Sequence, residues 1–310
     1  MYSYQNPLDD VKKFFRKKTI LGQLIIINLV VFLLVSVINL FMWLFQVSNQ
    51  PDSLGGISLV TYYLAVPASL ESLLYRPWTI FTYMFLHESF FHIFFNMVVL
   101  YFSGRIFMEY LSEQRLLNTY ILGGLAGAVF YIVAFNIFPV FSTTLSYSVA
   151  LGASASVLAI LIAVATYVPE YSVQLILFGK LKLKYIALII VAIDVLSITR
   201  GNSGGHIAHL GGAFWGFLYV TMMKRGSDFT INFAGMNFRR FFRYFTKPKM
   251  SAGYGNNSPN ERPLSDDEYN VRKKHNQERI DKILEKISKS GYNSLSKSDK
   301  ELLFRSSKKE

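Results

Sequence analysis

The sequence predicts an all-α polytopic membrane protein with six transmembrane helices, and three observations lead there. Hydrophobic residues make up 52% of the 310-residue chain and charged residues only 17%, whereas charge runs near a quarter in ordinary soluble domains. Several uncharged stretches reach the roughly 20 residues needed to cross a hydrocarbon core of about 30 Å. The basic residues crowd outside those stretches, at Lys12, Lys13, Arg16, Lys17 and Lys18 and again from Lys224 onward.

The spans are expected at about 20–46, 79–102, 116–139, 148–168, 182–199 and 206–223. The first 19 residues are polar and basic, and the long apolar run after them lacks a small-residue cleavage site, so the first span reads as a retained helix. An even number of spans puts both ends on one side, and the lysine-rich N-terminal flank puts that side in the cytoplasm. The loops agree. Those after spans two and four, with their span edges, carry Arg105, Arg115, Lys180, Lys182 and Lys184, against Arg76 and Arg200 for the other side.

Four segments follow: a basic cytoplasmic N-terminus (1–19), a membrane domain (20–223), a basic and polar linker (224–265) and a small helical cytoplasmic tail (266–310). Within the outer connection 47–78, the stretch Thr61–Tyr75 is too interrupted to span and too apolar for water, which predicts an interfacial segment. The Gly/Asn/Ser/Pro-rich run Ser251–Pro263 marks the linker. In the tail, Ile280, Ile283, Leu284 and Ile287 recur at helical spacing, suiting partner docking or homo-oligomerisation. The net charge of +12 reflects topology and attraction to anionic lipid, so nucleic acid is not an expected partner. The absence of cysteine excludes disulfides and thiolate metal sites.

Four of the five histidines, His87, His92, His206 and His209, lie in or at the ends of apolar spans, where polar side chains need a partner or a function. His92 and Asn96, four apart, share one helix face. Span four opens on Gly152-Ala153-Ser154-Ala155-Ser156, and span six on His206-Ile207-Ala208-His209-Leu210-Gly211-Gly212. Both run inward from the outer face, so Ser154 and His209 are expected at a similar depth, on the order of 5–10 Å below the surface. Gly152, Ala155 and Ala159 on one helix and Gly212 and Gly216 on the other let the backbones approach closely. A serine hydroxyl becomes a nucleophile when a base within hydrogen-bond reach takes its proton, the role open to His209. His92, Asn96 and the Ser154 N–H are the candidate donors to an oxyanion.

Taken together, these residues resemble those of the rhomboid intramembrane serine proteases. Pro77-Trp78 precedes Phe81-Thr82-Tyr83-Met84-Phe85-Leu86-His87; His92-xxx-Asn96 and Gly104-Arg105-xxx-Glu109 follow, then Gly152-x-Ser154 and Ala208-His209-xx-Gly212-xxx-Gly216. The resemblance implies a six-helix rhomboid-like bundle in a bacterial inner membrane, acting as an endopeptidase on the transmembrane segments of other membrane proteins. It implies Ser154 as nucleophile, His209 as general base and acid, and His92 with Asn96 as oxyanion donors. His209 is preferred to His206 because glycines follow it at +3 and +7, which leaves His206 a partner role at the helix start.

The chain departs from the family pattern at three places. Ala155 stands where glycine is usual, Thr79 where arginine is common, and Leu158 where an aromatic often lies under the histidine. Ala155 adds one methyl group to a tight turn, which leaves a reshaped oxyanion pocket open without removing an essential group. Asp194 in span five is a buried carboxyl with a structural or tuning role open to it.

Three other readings compete with this one. A non-catalytic rhomboid-like binding or quality-control factor would be expected to have lost the serine or histidine, and both are present. A zinc site at His87-Glu88-Ser89-Phe90-Phe91-His92 fails because histidines five apart point about 140° away from each other around a helix. A transporter lacks its paired broken helices. Neither metal nor cofactor is expected.

Overall fold

The computed structural model describes residues 19–47, 57–175, 179–227, 230–231, 279–291, 295–296 and 298–300. Helix α1 (Ile20–Leu44) starts where the Thr19 hydroxyl accepts the Gly22 N–H at 3.1 Å. Most of its large side chains, among them Leu33, Leu34 and Leu40, are exposed, as a lipid-facing surface requires. One of its polar side chains is buried: the Asn28 amide donates to Leu24 O and to the Tyr120 hydroxyl, which donates in turn to Met84 O.

The outer connection folds into short pieces: α2 (Leu59–Leu64), β1 (Val66–Pro67), α3 (Leu70–Tyr75), α4 (Thr79–Thr82) and a 3₁₀ turn (Tyr83–Phe85). Side chains of Arg76, Trp78 and Thr82 donate to the carbonyls of Tyr62, Tyr63 and Leu64 and clamp α2 in place. Leu74 and Tyr75 stay exposed on α3, which suits the expected interfacial segment.

Span two departs from the expected 79–102. The membrane-crossing helix is α5 (Phe90–Tyr110), begun by the Ser89 hydroxyl accepting the His92 N–H at 3.3 Å. The apolar residues before it, Tyr83, Met84 and Leu86, are buried against protein rather than lipid. Apolarity cannot tell these two surroundings apart. Helix α6 (Glu113–Ile137) follows, capped by Ser112, close to its expected span.

Span four also differs. Residues Val149–Ala150 form β2, paired antiparallel with β1 through Val66↔Ala150 and Pro67↔Val149, and helix α7 runs only from Ser154 to Tyr167. At ~1.5 Å per residue its 14 residues reach about 21 Å, short of a full crossing. A hairpin unforeseen in the sequence, β3 (Ser172–Leu175) with β4 (Gly179–Lys182), precedes α8 (Leu183–Ser197), and α9 (Ser203–Lys224) completes the bundle. Beside the hairpin, Glu170 pairs with Lys182 at 2.6 Å and Lys184 at 2.5 Å, and these ammonium groups pull its carboxyl down to about 2. Beyond α9, Ile231 exchanges hydrogen bonds with the Asn118 side chain on α6.

Among the described residues, α1, α5 and α6 are long and apolar enough to cross a membrane. The other three core helices are shorter or more polar, and of these α7 is the enclosed one. Every residue of α7 from Ala155 to Ala165 is buried. Its neighbours approach through glycines: a Cβ on Gly212 or Gly216 of α9 would lie 2.1 or 2.2 Å from the Ala155 or Ala159 carbonyl oxygen, and one on Gly123 of α6 would lie 2.2 Å from the Ala159 Cβ. Only hydrogen fits there.

The chain divides into two units, residues 1–240 and 241–310. In the second, residues 279–290 are helical, Ile283 and Leu295 are buried, and Lys289 pairs with Glu285 at 2.7 Å. The basic flank before Thr19, the linker run Ser251–Pro263 and the tail segments 266–278 and 301–310 lie outside the described residues.

Candidate active site

Ser154 owes its position to three elements. Strand β2 delivers the chain to Gly152, whose φ of +127° is a backbone state that residues with a Cβ rarely adopt. The Gly152 N–H donates to Tyr83 O at 2.9 Å, and the Tyr83 hydroxyl donates to Gly124 O on α6, so the turn is moored on two sides. A Cβ at Gly152 would sit 2.9 Å from His92 Nε2 and 3.4 Å from Ser154 Oγ. Both side chains thus converge over this glycine, which leaves no room for another residue.

The turn makes Ser154 the first residue of α7, with Ala153 offering no side-chain cap. The Ser154 N–H therefore has no intrahelical acceptor and sits at the positive end of the helix dipole. His209 lies about two turns into α9, while Ser154 opens α7.

His92 and Asn96 reach the same place from α5. Asn96 is 7% exposed and donates one amide N–H to the His92 carbonyl at 2.8 Å, keeping a second N–H. His87, expected as a span-two polar residue, lies before α5 and packs its ring edge-on against His92, with centroids 5.0 Å apart.

An open cavity of about 550 Å³ is lined by Ser154, His209, His92 and Asn96 together, with Val149 and Leu151 from the β2 segment. His206 is not in its lining. Gly152 lies under the cavity, and Gly212 and Gly216 lie behind it at the α7–α9 contact. Ala155 does not line it either; its methyl points at Gly127 of α6, where an added Cβ would come within 2.6 Å. A glycine on the facing helix makes the room for this methyl. Leu158 does line the cavity.

The contact that residue spacing did not reveal is at Asp194. Its Oδ1 lies 2.8 Å from His206 Nδ1 and 2.9 Å from His209 Nδ1, and the residue is 4% exposed. The available signal was a lone carboxyl in an apolar span, which needs a partner. Ligand atoms of Asp194, His206 and His209 fall within 4.8 Å of one another, the grouping among the described residues with the proximity a metal ion needs. The two Nδ1–Oδ1 distances are those of hydrogen bonds.

Comparison with known proteins places this cavity in a wider setting. The family model described as Rhomboid domain matches residues 75–226, which hold every cavity residue named above. A second, described as Family of unknown function (DUF6576), matches residues 265–309. RHOMBOID-like protein 12, mitochondrial, of Arabidopsis thaliana is 33% identical over 160 residues, covering 49% of this chain and 48% of that protein. Presenilin-associated rhomboid-like protein, mitochondrial, of Homo sapiens is 28% identical over 176 residues, 53% of this chain and 41% of that protein. Presenilin-associated rhomboid-like protein A, mitochondrial, of Danio rerio is 30% identical over 166 residues, 52% and 40%. The chain thus matches less than half the length of each of these relatives. With its order of motifs, its helical membrane core and this match, the chain belongs to the rhomboid family.

Proposed function

We propose that this protein is an intramembrane serine endopeptidase that hydrolyses peptide bonds in the transmembrane segments of other membrane proteins. The observation that carries the reading is the shared cavity. A serine at a helix start, a histidine from a second helix and two polar side chains from a third line one space inside an otherwise apolar bundle.

In this reading His209 takes the Ser154 proton as Oγ attacks the substrate carbonyl carbon. The oxygen that becomes negative is met by the Ser154 N–H, the His92 ring and the free N–H of Asn96. His209 then passes the proton to the leaving amine, and water, deprotonated by the same ring, releases the acyl group and restores Ser154. All the groups required belong to this chain, and no cofactor enters.

The arrangement of segments is also a proposal. Residues 20–223 form the membrane domain and 266–310 a separate cytoplasmic appendage that docks a partner or a second copy. Both ends of the membrane domain lie on the face that carries Lys180, Lys182 and Lys184. The relatives described above are mitochondrial by name, so they lend no support to a bacterial inner membrane, and the proposal extends only to a lipid bilayer.

The test is cleavage of a panel of single-span substrates, with small or helix-destabilising residues near one end, in liposomes. Wild type is expected to cut at least one of them, while Ser154→Ala and His209→Ala cut none. Wild-type silence across the panel, or an active Ser154→Ala protein, overturns the reading.

A further inference from the structure

We propose that Asp194, on α8, is a positioning residue that fixes the ring of His209 by accepting a hydrogen bond from Nδ1, so that Nε2 is the nitrogen turned to Ser154. The inference rests on the reading of Ser154 and His209 given above and adds a third residue to it. Spacing along the chain does not suggest it; the contact joins residues 15 apart, on different helices.

The chemistry follows from what each group can do. An ionised carboxylate only accepts hydrogen bonds, and a neutral imidazole has one N–H and one bare nitrogen. With Nδ1 of His209 2.9 Å from Asp194 Oδ1, the proton belongs on Nδ1 and the lone pair on Nε2. Asp194 does not line the cavity, whereas His209 does. The bare nitrogen is thus left for the cavity, where a base must present a lone pair to the serine hydroxyl. The same oxygen serves His206 Nδ1 at 2.8 Å, so one carboxylate holds two rings one turn apart on α9. Its other oxygen, Oδ2, is buried and takes no hydrogen bond from the described residues. Asp194 is also one of only three buried residues of α8, with Leu183 and Ala187. A carboxylate desolvated to this extent with one oxygen unpaired is costly unless its partners use it.

The test has two independent readouts on the full chain in detergent or bicelles. The first is ¹⁵N NMR of the ring nitrogens in histidine-labelled wild type, with His209→Gln and His206→Ala used for assignment. His209 is expected as the Nδ1–H tautomer with a bare Nε2, and an Nε2–H tautomer overturns the proposal. This signal is readable whether or not the protein cleaves anything, so its failure is distinct from failure of the protease reading. The second readout compares Asp194→Asn and Asp194→Ala with wild type for kcat, KM and melting temperature. A fall in kcat on the order of 10²–10⁴-fold, with KM within about twofold, is expected. Variants that fold and keep wild-type kcat overturn the proposal. If they do not fold, the wild-type tautomer decides it.

Discussion

Helices α7 and α8 both pack against α9, and they are held there by different physics. Against α7, α9 presents Gly212 and Gly216 so closely that a Cβ at either would overlap a carbonyl oxygen. The association is one of backbone shape, the form that helix contacts take in lipid, where apolar side chains gain little from each other's company. Against α8 the buried set shrinks to Leu183, Ala187 and Asp194, while Leu188, Ile193 and Leu196 are exposed. The tie there is a carboxylate between two histidines. The Ser154 helix is thus fixed to the His209 helix by backbone shape, and α8 is attached to α9 through His206 and His209.

The contrast is broken most severely by filling the α7–α9 contact. Gly212→Val places a branched side chain where even one methyl would sit 2.1 Å from the Ala155 oxygen, and the backbone must move to admit it. Overpacking of this kind costs roughly 1–3 kcal/mol in a well-packed core, and more where backbone is the obstacle. We expect a large fall in melting temperature or loss of folded protein. Leu196→Ala on the exposed face of α8 should change the melting temperature by about the scatter of surface substitutions, within roughly 0.5 kcal/mol. Equal sensitivity at the two sites would remove the distinction between the helices.

Asn96→Ala sharpens the account at the cavity. Losing one oxyanion donor lowers kcat by about 10²–10³ with little effect on KM, because the charge it meets develops in the transition state. Among the described residues its side-chain hydrogen bond runs to the carbonyl of His92 on its own helix, so its removal should leave the melting temperature nearly unchanged. A destabilised variant with normal kcat per folded molecule would make Asn96 a structural residue.

The smallest expected effect is at Glu170, whose carboxyl is held down at about 2 by Lys182 and Lys184. A depressed carboxyl stabilises the fold above its ordinary value of 4.5 and loses that contribution as pH falls toward about 2. The cluster lies at the surface and is screened by salt. Glu170→Gln should therefore lower the melting temperature slightly at pH 7 and low salt and match wild type near pH 2. A difference that grows toward low pH would contradict the sign.

Much of this was legible in the sequence for a definite reason. Lipid demands long apolar runs, and polar residues inside them stand out, so His92, Asn96, Ser154 and His209 could be picked and the glycine faces matched before any coordinates. The boundaries of spans two and four were not legible, because Tyr83, Met84 and Leu86 are apolar to suit a protein surround and Val149–Ala150 are apolar to suit a strand. The Gly179–Lys182 half of the β3–β4 hairpin alternates over only four residues, and its lysines suit a charged loop equally well. Asp194 could be flagged as costly but not assigned a partner, since the register between α8 and α9 depends on their packing. Gly127, which accommodates Ala155, follows the same rule: compensation across helices is a fact of three dimensions.

The central claim is that Ser154 is made nucleophilic by His209. The most direct measurement treats the purified protein with a fluorophosphonate, which forms an Oγ–phosphorus bond and releases fluoride, and locates the adduct by mass spectrometry. The account predicts an adduct on Ser154 in wild type and its near-complete loss in His209→Ala at unchanged melting temperature. Labelling of Ser154 at the same rate without His209, or labelling of another serine while Ser154 stays unmodified, would contradict it.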